Sequence, residues 1–161
     1  MVLLRWLVRL VLVVAIGVGA LALVARFLDG PLGPLPGGPL RAGPLVSDPV
    51  ADWSFAAGEQ EVELQLDSQR TSRTTWILVH EGRAYVPAST EFPPGKTWHR
   101  AALEDGRATL RIAGQRYPVT LEKVDDPALA TAVRAVAEAK YPQRPGGEVW
   151  LFSVASPSPL D

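Results

Sequence analysis

The sequence predicts a mainly β (α+β) fold: a six-stranded antiparallel barrel or half-barrel with two packed helices, preceded by one transmembrane helix. Three observations predict it. An apolar run fills the N-terminus, period-two alternation recurs between short turns in the remainder, and only two stretches carry helical character. Too few helices intervene for alternating βαβ units, so the strands close on one another as a small barrel. Of the 161 residues, 1–28 are almost wholly apolar and 29–50 are mostly Pro, Gly, Leu and Ala. Residues 51–155 remain for a single core, and the tail 156–161 (SPSPLD) has the composition of a disordered end.

Leu10 to Ala25 reads LVLVVAIGVGALALVA, an uncharged run. As a helix it spans ~24 Å, a little short of a ~30 Å hydrocarbon core. Extension back to Trp6 and forward to Leu28 closes the gap, with Arg9 and Arg26 snorkelling outward. The run is apolar on every face, which argues against a buried core helix. Arg5 and Arg9 precede it, whereas Arg26 beyond it is balanced by Asp29. The positive-inside rule then places the N-terminus in the cytoplasm and exports the C-terminal domain, in a bacterial-type inner membrane. The rival reading is a cleaved signal peptide, since Ala20-Leu21-Ala22 resembles a processing site. Apolar residues continue past that site to Leu28, which favours the anchor.

Gly30 to Pro49 holds six Pro and five Gly, which removes backbone donors and raises the entropy of ordering. A semi-extended tether that holds a domain off the bilayer is the simplest expectation. Leu32, Leu35, Leu40 and Leu45 argue against full solvation; packing on the domain and lying near lipid both stay open.

In the domain, Glu61 to Asp67 alternates strictly and predicts a strand with one buried face. Thr74 to His80 is β-branched and aromatic, and after the turn Glu81-Gly82-Arg83 the strand Ala84 to Pro87 completes a hairpin. Pro93-Pro94-Gly95 closes a loop, and Lys96 to Asp105 reads as a short helix with Gly106 just past its end. Arg107 to Ile112 and Arg116 to Val124 form a second hairpin around Ala113-Gly114-Gln115. Asp126 and Pro127 start a helix whose buried stripe is Leu129, Ala132, Val133 and Val136, ended by Tyr141-Pro142. A turn at Arg144-Pro145-Gly146-Gly147 leads to the last strand, Val149 to Val154.

Charge and composition narrow the function classes. From Ala51 onward there are 12 basic and 15 acidic residues, which disfavours nucleic acid as a partner. The absence of Cys removes disulfides, thiolate chemistry and a lipoprotein anchor, and His80 and His99 alone give no multi-histidine metal site. No P-loop, GxGxxG or Ser-His-Asp pattern occurs.

Two clusters could hold an anion. Arg70, Thr71, Ser72 and Arg73 lie on a loop entering a strand, where guanidinium and hydroxyl groups suit a phosphate. Lys96 and Arg100 lie four apart at the expected helix start, with Trp98 and His99 between them. The bland alternative makes all of these solvated residues paired with Glu91 and Glu104. Trp98 reads as a core plug or a stacking ring, Trp76 and Trp150 as core, and Trp53 as the residue that docks the incoming segment. His80 reads as an exposed strand end; for His99 no partner acid is identifiable.

Residues 60–141 resemble the flavin-binding split β-barrel superfamily, the pyridoxamine-phosphate-oxidase-like and deazaflavin-dependent nitroreductase-like proteins. Three stretches carry the resemblance: Gln69-Arg70-Thr71-Ser72-Arg73-Thr74-Thr75, the Trp-bearing segment Lys96 to Leu110, and the hairpin Ile112 to Tyr117 followed by a helix ending in Tyr-Pro. The resemblance implies a split barrel, an FMN or deazaflavin cofactor, a homodimer with the cofactor at its interface, and a reductase as the activity. The family's helix Asn falls on Ala101, and Gln69 and Arg73 stand where its glycines would flank the Ser. These departures keep an alternative open: a non-catalytic exported binding or assembly module without cofactor.

Overall fold

The computed structural model describes residues 2–142 and 147–156; the expected turn at Arg144-Pro145-Gly146 and the tail beyond Ser156 lie outside them. Helix α1 spans Val2–Ala25. Its segment Leu3–Ala25 has a mean hydropathy of 2.7 and is long and apolar enough to cross a membrane; its apolar side chains are largely exposed, and Ala25 at its end is buried.

The domain builds seven strands: β1 (Glu61–Leu66), β2 (Ser72–Trp76), β3 (Leu78–His80), β4 (Arg83–Ser89), β5 (Arg107–Ile112), β6 (Gln115–Lys123) and β7 (Val149–Ala155). They form one curled antiparallel sheet in the order β2-β1-β5-β6-β7-β4-β3. The alternation read from the sequence sets its inner face. Val62, Leu64 and Leu66 of β1, Ala108, Leu110 and Ile112 of β5, and Tyr117, Val119 and Leu121 of β6 are all buried in one cluster, with Val86 and Phe152. Trp53 closes one end of this core: it stacks on Phe55 at 5.8 Å, and its amide donates to Gly82 O at 2.8 Å. The incoming segment is thus docked as expected.

Both tight hairpins turn through a left-handed pair. Glu81 and Gly82 have φ of 50° and 73°, Ala113 and Gly114 of 48° and 79°, the geometry that matches the twist of the flanking strands. Helix α3 (Pro127–Lys140) begins where Asp126 accepts hydrogen bonds from the amides of Ala128 and Leu129. Its stripe forms a second core outside the sheet, with Ala130, Val133 and Tyr141 against Leu78, Tyr85 and Leu151.

Three expectations change. The single strand over 74–80 is two strands, broken at Ile77, so the sheet has seven strands rather than six. The Ile77 carbonyl leaves the ladder to accept from Lys140 Nζ at 3.0 Å, and Tyr141 Oη lies 3.1 Å from it. Since β2 and β3 end the strand order at opposite sides, this one residue carries the chain from one end of the sheet to the other and closes the curl. Helix α2 spans Trp98–Glu104, starting two residues later than expected, because Lys96 still belongs to the preceding turn, its amide donating to Pro93 O.

The third change concerns the spacer, which lies along the barrel. Gly38 N donates to Ala25 O at 3.1 Å, Gly37 and Ser72 exchange backbone hydrogen bonds, and Val46 and Pro44 bond to Arg116. The Asp29 carboxylate accepts from the amides of Arg41 and Ala42 and from Arg111, which also pairs with Glu63. Leu40 is buried, while Leu32 and Leu45 stay exposed.

Candidate functional site

A cleft of about 1240 Å³ opens between the spacer, the 92–97 segment, β2 and the C-terminal half of α3. Two cations meet in it. Arg73 sits half-buried on β2, where its guanidinium lies 5.6 Å from the Trp98 ring centroid and donates to Gln69 Oε1. Lys96 Nζ lies 5.9 Å from the same ring. Arg73 Nε is buried without a partner among the described residues. Burial pulls the Arg73 pKa down to about 10. It also lowers that of Lys96, where the Arg73 charge adds to the effect.

Both cations are therefore held partly desolvated and near each other, an arrangement that an incoming anion relieves. The ion pairs among the described residues lie elsewhere, on Arg107, Arg111 and Lys123. Glu61, Glu138 and Glu148 line the same cleft, with Thr71 and Arg134.

The aromatic surface is divided between two tryptophans. Trp98 is only 3% exposed and packs on Phe152 at 5.7 Å, so it acts as the core plug and carries the cations on its ring. Trp76 is half-buried, contrary to the core placement expected for it, and lines the cleft. Tyr141 stacks on it at 4.2 Å and 5°, fixing the plane of the indole. Trp150 is likewise half-buried, with its indole N–H on Glu148 and Lys123 Nζ 5.1 Å from its ring.

The cleft brings together Thr71, Arg73, Lys96 and Trp98 and leaves out Arg70, Ser72, His99 and Arg100. Arg70 and Arg100 are exposed. Because α2 starts at Trp98, Lys96 and Arg100 do not share a helix face. Ser72 is fully buried and its hydroxyl donates to Gly38 O at 2.5 Å. His99 is buried edge-on to Trp150 at 5.1 Å, with Nδ1 unpartnered among the described residues. Burial first, then the Lys96 and Arg100 charges, lower its pKa. His80 is half-buried rather than exposed. Trp76 and Arg134 were absent from the candidate residues. The available signal for Arg134 was its position off the buried stripe of α3, and Trp76 had none, since a Trp inside an apolar strand reads as core.

A family profile described as "uncharacterized protein conserved in bacteria (DUF2255)" matches residues 56–155, well over half of the chain. The chain belongs to this family. The DUF2255 barrel is similar to a solved conserved hypothetical protein from Mycobacterium tuberculosis, with 12% identity and a TM-score of 0.50, over 70% of this chain and 84% of that one. A Listeria innocua structure designated a candidate pyridoxamine 5'-phosphate oxidase aligns with 12% identity and a TM-score of 0.47, over 61% of this chain and 84% of its own. The former likeness concerns the fold alone. Comparison with curated proteins gives no match.

Proposed function

We propose that this DUF2255 chain is a membrane-anchored, exported split-barrel protein whose cleft binds a flavin-type cofactor, FMN or a deazaflavin, or a related anionic aromatic ligand. The observation that carries the reading is the convergence of Arg73 and Lys96, both partly desolvated, in a cleft that also presents the Trp76 ring. An orphaned buried Arg73 Nε, a Lys ammonium and the Thr71 hydroxyl are a donor set that fits a phosphate. The planar ring of such a ligand packs on Trp76, held flat from behind by Tyr141. When bound, a flavin supplies hydride chemistry, and the chain's residues bind and orient it. A reductase acting as a homodimer is the activity this reading implies.

Titration of the full-length chain in detergent with FMN and with a deazaflavin tests it. Saturable binding below tens of micromolar is expected. Arg73→Gln or Lys96→Gln should each weaken it about tenfold or more, the scale of one charge-assisted hydrogen bond. No binding to either ligand in that range rejects the cofactor. One observation favours the alternative of a non-catalytic binding or assembly module: the Ser72 hydroxyl, the most family-like group of the first motif, is engaged by the Gly38 carbonyl. Under that reading both titrations stay flat.

A further inference from the structure

We infer that the mouth of the cleft is a membrane-docking surface, which seats the barrel on an anionic lipid headgroup layer beside α1. Three observations converge on this face. Arg26, the residue directly after α1, itself lines the cleft, together with Pro34 and Pro36 of the spacer. Phe92, Pro94 and Lys96 line the same cleft. The spacer returns to the helix end, where Gly38 N bonds to Ala25 O, so the barrel is held at the end of α1 and not at the length of an extended linker.

The exposed groups on this rim suit a bilayer interface. Phe92 on the rim and Phe27, the chain neighbour of Arg26, are 57% and 84% exposed, unusual for aromatic rings beside water and ordinary at headgroup depth. Arg26 and Lys96 form no ion pair among the described residues. The Glu91 carboxylate of the same loop lies against Gly147. Two cations flanked by exposed aromatic and proline side chains complement an anionic surface, in the way interfacial segments combine apolar burial with headgroup attraction. The inference is independent of which ligand the cleft holds, and it rests on α1 residing in the bilayer.

The chain has no Cys, so a single introduced thiol is a unique label site. Phe92→Cys and Glu81→Cys would carry an environment-sensitive fluorophore on the full-length chain. Glu81 is the control: β4 runs seven residues from Arg83 to Ser89, and only its Ser89 end lines the cleft. The two sites thus stand about 20 Å or more apart at ~3.3 Å per residue. The protein is reconstituted in phosphatidylcholine vesicles with and without phosphatidylglycerol, each containing a headgroup-nitroxide lipid.

The label at 92 should be quenched about threefold or more over the label at 81, and the excess should shrink without phosphatidylglycerol and in the Arg26→Gln, Lys96→Gln double variant. Equal quenching at the two sites, in vesicles that retain the protein through alkaline carbonate washing, overturns the docking surface while leaving the anchor intact. Loss of the protein in that wash overturns the anchor, and the docking beside it.

Discussion

Removing the two side chains that share the Ile77 carbonyl should cost more than the sum of removing each. Ile77 is fully buried, and its carbonyl is served by Lys140 Nζ at 3.0 Å and Tyr141 Oη at 3.1 Å. Lys140 also donates to Ala57 O at 2.9 Å and Glu59 O, and the Tyr141 hydroxyl divides its one proton between Ile77 O and Gln60 O. Tyr141→Phe keeps the ring on Trp76 and leaves Lys140 on Ile77, so its loss should be about 1 kcal/mol. Lys140→Met removes three donations, one of them well inside the barrel wall, for about 1–2 kcal/mol once partial exposure is discounted.

In the double variant the Ile77 carbonyl is orphaned, which adds the desolvation penalty of a buried acceptor, about 1–3 kcal/mol. The expected coupling is therefore destabilising and about 1 kcal/mol or more. Urea unfolding of the full-length chain in mild detergent, followed by tryptophan emission, measures the cycle. Additivity within about 0.5 kcal/mol would refute the idea that these two residues jointly hold the break between β2 and β3.

Two further predictions concern pH and one concerns the spacer. Burial, with Glu61 adding, pushes the Tyr141 hydroxyl up to about 12 from 10.0. The stability it contributes is present below pH 10 and lost as pH rises toward about 12, so the advantage of wild type over Tyr141→Phe should shrink across that window in the same urea assay. His99 is held below its ordinary 6.5, so the unfolded chain binds the extra proton first and wild-type stability falls as pH drops below 6.5. A His99→Phe variant should flatten that slope, and an unchanged slope would assign it to other groups. Gly37→Ala places a Cβ 1.7 Å from Gly30 O, where backbone must move. Limited proteolysis should then cut within 29–46 faster than in wild type, and an equal rate would show that the spacer is not held by this contact.

What the sequence made legible was local. The strict alternation of β1, β5 and β6, the two left-handed hairpin turns and the Asp126-Pro127 start of α3 are each encoded within a few residues, and all appear where their patterns place them. The break at Ile77 was illegible because nothing in the run Thr74 to His80 marks it; the groups that capture its carbonyl come from residues 140 and 141. The candidate site divides the same way. Arg73, Lys96 and Trp98 were found by residue type and neighbourhood, and the cleft does bring them together. Ser72 was drawn by its motif, but its surroundings are set by a spacer whose composition reads as unstructured. Trp76 was hidden by an apolar strand context that describes its backbone correctly and its exposed side not at all.

With α1 in the bilayer, as proposed above, the passage of the chain through Ile77 has a consequence at high surface density. Proteins confined to a membrane meet copies of themselves far more often than in bulk solution, and a sheet with a bare flank invites strand addition from the next copy. Here the two flanking strands are one continuous segment, β2 pairs through Ser72 with Gly37, and α3 packs over β3. The spacer thus doubles as a guard against self-templated polymerisation. Variants that lift it, such as Gly37→Ala, should show their defect first as aggregation and only later as unfolding.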